Sequence, residues 1–234
     1  MSAAKGKEPS RVSKADGVSR RLSKARIVQV ARSFDPKDLT MQAVADELGV
    51  DRKALNYHVT DKKGLESLVA ANVFESNFLK YFSENLEART DADEWVRHLV
   101  AWSYAAKEGL VASGMLTNYY VLGSDNPDIF KPSELVLASL IRGGFTAVAA
   151  SRALVMATRL AMGVGRDIVL ENVFGEHPQG PEVRKLLDRA IESGEYPALT
   201  TMIQSRVNGA DDVERQFVFE LETMVAGLRG QLNS

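Results

Sequence analysis

Apolar residues recur with a helical period along most of this chain, and the pattern is sharpest between residues 40 and 63. Two short amphipathic helices are predicted there, on either side of Gly49, which can adopt the left-handed backbone of a tight turn. Thr40 and Asp51 are positioned to cap the two helices at their N-termini. One face of the first helix carries apolar residues at positions i, i+3, i+4 and i+7, namely Met41, Val44, Ala45 and Leu48. The segment is therefore predicted to be a helix-turn-helix.

The second of these helices carries a continuous polar arc of about 140° when its residues are placed about 100° apart. The arc consists of Arg52, Lys53, Asn56 and Tyr57, and the opposite side consists of Ala54, Leu55 and His58. A guanidinium, an amine, an amide and an aromatic ring in one arc are the groups that bind base edges and phosphates. A charged arc on a short helix is more often a solvated face, so the pattern alone leaves both interpretations open.

Helices are also predicted on both sides of this motif. The preceding helix runs from Ser19 to the breaker Pro36, and its buried face consists of Ile27, Val30, Ala31 and Phe34. The following long helix starts at a cap on Thr60 or Asp61 and continues to about residue 88. Residues 1–18 lack an apolar period and are predicted to be a flexible basic tail, either an arm along a phosphate backbone or a solubilising segment.

The rest of the chain continues the helical pattern. A helix starts at residues 91–94, the pattern breaks at Gly109 and Gly114, and residues 115–122 form a short apolar segment. Further helices are predicted over residues 133–141, 145–174, 182–193 and 197–207, and a last one starts at residues 211–212. Because no run requires a β-sheet, the predicted fold class is all-α.

The predicted parts of the chain differ in charge. They are a tail over residues 1–18, a three-helix head with the helix-turn-helix over residues 19–65, and a larger helical domain over residues 66–234. Residues 1–63 hold 14 Lys and Arg against 8 Asp and Glu, a net charge of +6, whereas residues 64–234 hold 15 against 23, a net charge of −8. A polyanion would therefore attract the N-terminal segment and repel the remainder.

The amino-acid composition indicates the cellular compartment in which the protein is expected. The chain has no cysteine, which excludes disulfides and thiolate metal sites and fits a reducing interior. It shows no apolar signal segment, and its longest uncharged run, residues 109–124, is 16 residues long and too polar to span a bilayer. We therefore expect a cytoplasmic protein that does not bind a membrane.

No motif points to catalysis. The only histidines are His58, His98 and His177, and none has a second His or a Cys at ligand spacing, so no metal site is predicted. The chain lacks an H-E-x-x-H motif, a P-loop and a nucleophile elbow, and the Gly163-x-Gly165 pair has no preceding strand of the kind that a dinucleotide site needs. An enzyme is thus the least favoured class, and no cofactor is implied.

The helix-turn-helix segment and its surroundings resemble the DNA-binding head of the tetracycline-repressor (TetR) family. The resemblance covers about residues 20 to 70 and depends on the order and spacing of Leu39-Thr40, Val44-Ala45, Leu48-Gly49-Val50, Leu55, Tyr57-His58-Val59, Lys62-Lys63 and Leu65. A weaker likeness, to the C-terminal domain of the tetracycline-repressor subgroup, lies in Tyr196-Pro197-Ala198-Leu199 and Val213–Leu228.

This resemblance implies a homodimer whose head binds double-stranded operator DNA and whose larger domain dimerises and holds a small, largely apolar effector. Effector binding would move the long linking helix and release a palindromic operator, so the protein would act as a repressor and associate with the bacterial nucleoid when bound to DNA. The metal ligands of the tetracycline repressor are not recognisable in this chain. The alternative is a DNA-binding regulator controlled by a protein partner, without a small-molecule ligand.

The resemblance also implies which residues contact DNA. Carried over position by position, they are Thr40, Gln42, Arg52, Lys53, Asn56, Tyr57, His58 and Lys62. Asn56 departs from the family pattern, which most often has an aromatic residue there, so the operator sequence cannot be transferred. His58 lies off the polar arc, and a phosphate contact and packing beneath the helix are equally open for it.

Two further sets of residues are candidates in the larger domain. Candidates for the effector pocket are Trp95, His98 and Trp102, which share one helical face, together with Met115, Asn118 and Tyr119. Aromatic residues at helical spacing are more often plain core, so that interpretation stays open beside the pocket. Candidates for the dimer interface lie on two strongly apolar helices and are Leu154, Phe217, Leu221, Met224, Val225 and Leu228.

Overall fold

The structure is a computed structural model that describes residues 22–35, 37–114, 127–205 and 210–232. Within these ranges the chain forms ten α-helices, one short 3₁₀ helix at Pro127–Phe130 and no strand, which confirms the all-α prediction. The helices are α1 (Lys24–Ala31), α2 (Met41–Leu48), α3 (Arg52–Leu55), α4 (Lys62–Ala88), α5 (Glu94–Ser113), α6 (Lys131–Arg142), α7 (Ala147–Phe174), α8 (Gly180–Ser193), α9 (Pro197–Ser205) and α10 (Ala210–Leu232). The predicted tail and the segment 115–122 lie outside the described residues.

The chain divides into two compact units, with the boundary between Val69 and Ala70. Helices α1, α2 and α3 and the first turns of α4 belong to the first unit. Its core consists of Ile27, Val28, Ala31, Leu39, Met41, Val44, Ala45, Leu48, Leu55, Val59, Leu65 and Leu68. All four residues of the predicted apolar face of α2 are among them, so the pattern that predicted this helix also predicted what it buries.

Helix α1 starts later than the pattern predicts. Ser23 is its N-cap, and the Ser23 hydroxyl oxygen accepts a hydrogen bond from the Arg26 amide at 3.3 Å. Leu22 and Ser23 are not helical, so a single helix running from Ser19 is wrong. A serine side chain that satisfies an amide of the first turn competes with continuation of the helix, and the apolar period cannot show which of the two wins.

Helix α5 is the centre of the second unit. It packs against α6 and α7, and α7 also packs against α6 and α10. Twelve of the 20 residues of α5 are buried. Small residues on α7 face this core, namely Ala150, Ala153, Ala157, Ala161 and Gly165, and their size lets the helices approach closely.

Gly109 lies inside α5, so the predicted break at this residue is wrong. A Cβ atom at Gly109 would lie 3.2 Å from the ring of Phe74 and 3.3 Å from the Phe74 carbonyl oxygen. The glycine therefore serves close helix packing rather than chain reversal. Gly114 does end the helix, with a left-handed φ of 62°.

The remaining helices agree with the pattern to within a few residues. Helix α6 starts two residues before the predicted residue 133 and includes Pro132, because a proline is tolerated in the first turn of a helix. Helix α7 starts at Ala147, since the Thr146 hydroxyl accepts a hydrogen bond from the Ala149 amide at 3.2 Å and caps the helix.

Helix α7 is long and apolar enough to cross a membrane if only its length and composition are counted. One such helix is weak evidence, because the core helices of water-soluble proteins pass the same test. The prediction from uncharged runs did not select this helix, since three arginines at seven-residue spacing, Arg152, Arg159 and Arg166, interrupt it.

Candidate nucleic-acid interface

A surface groove of about 330 Å³ in the first unit joins the two ends of the helix-turn-helix. Its lining residues are Thr40, Met41, Gln42, Arg52, Asn56, Thr60, Asp61 and Lys62. Two helices begin at this groove: the Thr40 hydroxyl caps α2 by accepting from the Ala43 amide at 3.0 Å, and the Asp61 carboxylate accepts from the Gly64 amide at 2.8 Å at the start of α4. Amide groups and the positive ends of two helix dipoles therefore lie beside the groove.

The second helix of the motif is shorter than the polar arc suggests. The Asp51 carboxylate caps it by accepting from the Lys53 amide at 2.7 Å, as predicted. Regular helix ends at Leu55, and Asn56 continues with a helical backbone at φ −63° and ψ −17° before the chain turns. Leu55 is completely buried in the core of the unit, which fixes the short helix and aims its opposite side at solvent.

The polar arc is exposed. Arg52, Lys53 and Asn56 are all exposed, and the Tyr57 side chain is 90% exposed. In the part of the chain that the structure describes, no carboxylate forms an ion pair with Arg52 or Lys53. An unpaired guanidinium, an unpaired ammonium and an almost fully solvated phenol ring are thus available to an external partner.

Two other predicted contact residues are held by their own helices. The Gln42 side-chain amide donates to the Asp46 carboxylate at 2.7 Å, and the Lys62 ammonium lies 3.6 Å from the Glu66 carboxylate. Both pairs are on the surface, where such interactions contribute little and exchange readily for a new partner.

The groove gathers five of the eight predicted contact residues, namely Thr40, Gln42, Arg52, Asn56 and Lys62. Lys53, Tyr57 and His58 do not line it. His58 is half-buried, so its position leaves both predicted roles open. Thr60 and Asp61 were predicted only as helix caps, because the placement of the α2 and α4 N-termini beside one groove depends on how the unit folds.

The predicted pocket residues of α5 lie in packed surroundings. The Trp95 ring meets Phe145 edge to face, with 5.2 Å between the ring centroids. The Trp102 indole donates to the Thr158 hydroxyl at 2.9 Å and meets the Phe78 ring edge to face, with a centroid separation of 4.9 Å. Both indoles thus have the contacts of core residues. Met115, Asn118 and Tyr119 lie outside the described residues.

His98 is the polar member of the same helical face. It is buried, and its Nδ1 atom has no hydrogen-bond partner among the described residues. Burial lowers the pKa of His98 below its ordinary value, with the Glu94 carboxylate and a hydrogen bond to the Leu135 backbone opposing the shift. The ring is therefore a neutral imidazole at neutral pH.

Five of the six predicted dimer-interface residues are buried within the second unit itself. They are Phe217, Leu221, Met224, Val225 and Leu228, and each is at most 7% exposed. Their side chains belong to the hydrophobic core of this unit. Leu154 is half-buried beside the same core. The apolar stripe of α10 was correctly located, but it faces inward.

The first unit contains a helix-turn-helix, and the described residues of the larger second unit are all helical or in loops. The chain is therefore an all-helical protein of the helix-turn-helix class. Residues 90–232 match the family model described as the tetracyclin repressor-like C-terminal domain. The chain belongs to the TetR family of transcriptional regulators. No curated protein sequence matches it significantly.

Solved structures share this fold at low sequence identity. A possible TetR-family transcriptional regulator from Streptomyces coelicolor is 21% identical with a TM-score of 0.61, and the match covers 89% of this chain and 99% of that one. ActR from the same organism, in complex with (S)-DNPA, is 16% identical with a TM-score of 0.62, covering 91% and 99%. A TetR variant from Acinetobacter baumannii AYE, in complex with minocycline, is 17% identical with a TM-score of 0.54, covering 92% and 100%.

Proposed function

We propose that this protein is a transcriptional repressor that binds a palindromic operator through the groove of its first unit. The observation that carries the proposal is the groove itself, which joins two helix N-termini to Arg52, Asn56 and Lys62 on an exposed surface. Helix N-termini and basic side chains bind phosphates, and guanidinium and amide groups bind base edges. The net charge of +6 on residues 1–63 supports the same partner, because it attracts the DNA backbone.

The groove residues divide by chemistry into two roles. Arg52 and Asn56 would recognise bases, since arginine pairs bidentately with guanine and asparagine with adenine in the major groove. Thr40, Lys62 and the amides at the start of α2 and α4 would hold phosphates and set the orientation of the head. Lys53 and Tyr57 lie on the same exposed arc and would extend the contact along the backbone.

Substitutions in the groove test these roles. We expect Arg52→Ala and Asn56→Ala each to lose about 1–3 kcal/mol of binding on the selected operator and much less on a scrambled duplex. Lys62→Ala should weaken binding to both duplexes similarly, because a phosphate contact carries no base information. Gel-shift titrations at one fixed salt concentration measure all three effects.

Lys80→Ala is a matched control for the loss of a lysine. Like Lys62, Lys80 is exposed and pairs with a glutamate four residues later, but it lies in the second unit. It should leave DNA binding unchanged. Equal losses on operator and scrambled duplex for Asn56→Ala would refute base recognition by this residue, and a loss for Lys80→Ala equal to that of Lys62→Ala would refute the groove.

The dimer would form through the outer faces of α7 and α10. Exposed apolar side chains on these helices support this assignment, with Val148 60%, Val155 44%, Met156 44% and Phe219 64% exposed. Apolar side chains this exposed on two core helices are typical of an association surface. Arg152 and Arg159 lie along the same outer side of α7 and would sit at the edge of the interface.

A small, largely apolar effector would release the DNA. Its support is by analogy, since two structural neighbours are complexes with minocycline and with (S)-DNPA. Thermal-shift screening followed by gel shift tests this part, because a true effector raises the melting temperature by mass action and changes operator affinity. If DNA binding is intact and no small molecule changes both quantities, a regulator controlled by a protein partner becomes the better account.

A further inference from the structure

We propose that the second unit holds a binding site for a small amphipathic carboxylate, in a cleft between α5 and α10. The cleft has a volume of about 280 Å³, close to the lower end of the range of about 300–1,000 Å³ for small-molecule sites. The binding of such a molecule does not depend on the proposed function. The further claim that this molecule is the effector does depend on the proposed function and therefore rests on it.

One side of the cleft is apolar. Its larger apolar side chains are Val96 and Val100 from α5 and Val218, Leu221 and Val225 from α10. Four of these five side chains are at most 7% exposed, so they form a firm wall rather than a mobile surface. A short alkyl chain or an aromatic ring would be shielded from water there, and a charged or strongly hydrated body would not be favoured.

The other side holds the guanidinium of Arg89, one N–H group of which is unsatisfied. The Nε atom of Arg89 is buried and has no hydrogen-bond acceptor in the described part of the chain. The guanidinium lies over the Tyr104 ring, 5.0 Å from its centroid, and the nearest carboxylate oxygen, from Asp91, is 3.7 Å from Nη1, which is too long for a hydrogen bond. Leaving a buried N–H unpaired is unfavourable, and a ligand carboxylate can satisfy Nε and an Nη atom together.

Two other polar side chains of the cleft, Tyr104 and Arg229, already have hydrogen-bond partners, so Arg89 is the group that would bind a carboxylate. The Tyr104 hydroxyl is hydrogen-bonded to Glu214, and burial raises the Tyr104 pKa, so it remains a neutral phenol. The Arg229 guanidinium is already paired with Asp93 at 2.8 Å. Glu222 also lines the cleft, but it is exposed, so its carboxylate can remain in water while a ligand binds.

A second cleft nearby provides a contrast. It has a volume of about 470 Å³ and contains Arg142 and Arg229, but Arg142 is paired with Glu94 at 3.0 Å and Arg229 with Asp93. Each of its guanidinium groups thus donates hydrogen bonds to a carboxylate, whereas Arg89 forms only the longer ion pair with Asp91. The smaller cleft combines an apolar wall with an unsatisfied donor, and this combination indicates a carboxylate.

Arg89 is also positioned to transmit an effect along the chain. It follows Ala88, the last residue of α4, and α4 begins at Lys62, which lines the groove proposed to bind DNA. A carboxylate that binds Arg89 fixes one end of this helix. A ligand that alters the position of that end would change DNA affinity through the helix itself.

Titration calorimetry of the full-length protein with octanoate tests the site, and octanol serves as the uncharged control of equal chain length. We expect octanoate to bind more tightly than octanol. Arg89→Leu should weaken octanoate binding by about 10- to 100-fold, the range for losing a charge-assisted hydrogen bond, and leave octanol binding unchanged. Arg189→Leu, at an exposed arginine on α8, makes the same substitution away from the cleft and should bind octanoate like the wild type.

A second variant tests the cleft without removing the charge. Ala226 lines the cleft and is exposed, so Ala226→Phe should fill the space and abolish octanoate binding while the protein still folds. No octanoate binding by the wild type, equal affinity for octanol, or unchanged octanoate affinity in both Arg89→Leu and Ala226→Phe would overturn the site.

The role as effector has a separate readout. Saturating octanoate should change DNA affinity by about fivefold or more in the wild type and not in Arg89→Leu. Octanoate binding without any change in DNA affinity would overturn the effector role and leave the site standing. A protein that binds octanoate but no DNA at all would refute the proposed function instead.

Discussion

His98 ties the stability of the second unit to pH. Burial lowers the pKa of His98 below its ordinary value of 6.5, so the unfolded chain takes up a proton at a higher pH than the folded chain does. The free energy of unfolding is therefore highest above this ordinary pKa and falls as the pH decreases through it. The sign is opposite to that of a histidine that gains an acidic partner on folding.

We expect the wild type to lose more stability between about pH 7 and pH 5 than His98→Leu does, because the variant has no imidazole to protonate. Urea denaturation at a series of pH values measures the difference in slope, and carboxylates common to both proteins cancel in the comparison. Identical slopes would show that His98 titrates alike in the folded and unfolded chains and would refute the assignment.

At the scale of single residues, the sequence predicted local hydrogen bonds well. Thr40 and Asp51 cap their helices as expected, because a cap depends only on a side chain and on amides two or three residues away. Trp95 and Trp102 were harder to assign, since the same spacing serves a core and a pocket. Only their partners on other elements, Phe145 for one and Thr158 for the other, show that both indoles are packed in the core.

Helix α7 contains a matched pair of glycines that tests how closely the helices of the second unit pack. A Cβ atom at Gly165 would lie 3.1 Å from the Lys107 carbonyl oxygen, which is backbone and cannot move aside, whereas a Cβ at Gly163 would meet nothing within 4 Å. Gly163→Ala should stabilise the protein by up to about 1 kcal/mol through helix propensity. Gly165→Ala should be less stable than Gly163→Ala by about 1–3 kcal/mol, because the site is overpacked.

Thermal or chemical denaturation of the two variants beside the wild type measures this difference. Equal stability of the two variants would mean that α5 and α7 can separate without penalty and would contradict the close packing of these two helices at Gly165.

Helix limits followed from the sequence at the start of α4, where a cap sets the limit, and at the end of α5, where a glycine does, but the Ser23 cap at the start of α1 was not predicted. The break predicted at Gly109 was wrong, because the sequence does not distinguish a glycine inside a helix from one that ends it. The packing of Gly109 against Phe74 makes the distinction. The apolar stripe of α10 was predicted as a dimer contact, and in the structure it lies in the core of its own unit. The helical period of apolar residues shows that one face of a helix is buried, but it does not show whether the same chain or a second copy buries that face.

At the scale of the whole molecule, a dimer should depend on the exposed side of α7. Val155→Glu places a charge in the proposed interface and should shift the protein toward monomer, which sedimentation or light scattering detects. Ile141→Glu is the control, because Ile141 is 50% exposed and Val155 is 44% exposed. Ile141 lies on α6, outside the proposed dimer surface. A dimer unaffected by Val155→Glu, or a protein that is monomeric from the start, would contradict the assignment.

The two units differ in how much of their role the sequence reveals. The head is short and its contacts are local, so the motif predicted which residues are exposed and five of those that line the groove. The second unit is built from contacts between distant segments, such as the ion pair of Lys107 with Glu214. The clefts of the second unit could not be predicted from the sequence, because residues of α5 and α10, which are far apart in the chain, line them together.

Selection of DNA fragments from a random pool by the full-length protein tests the central claim most directly. If the groove of the first unit binds an operator as part of a dimer, the enriched sequences should share two inverted half-sites at a fixed spacing, because the symmetry of the site mirrors that of the protein. The enrichment should disappear when Arg52 and Asn56 are both replaced by alanine. Failure to enrich any sequence, or an identical motif with the double variant, would contradict the account.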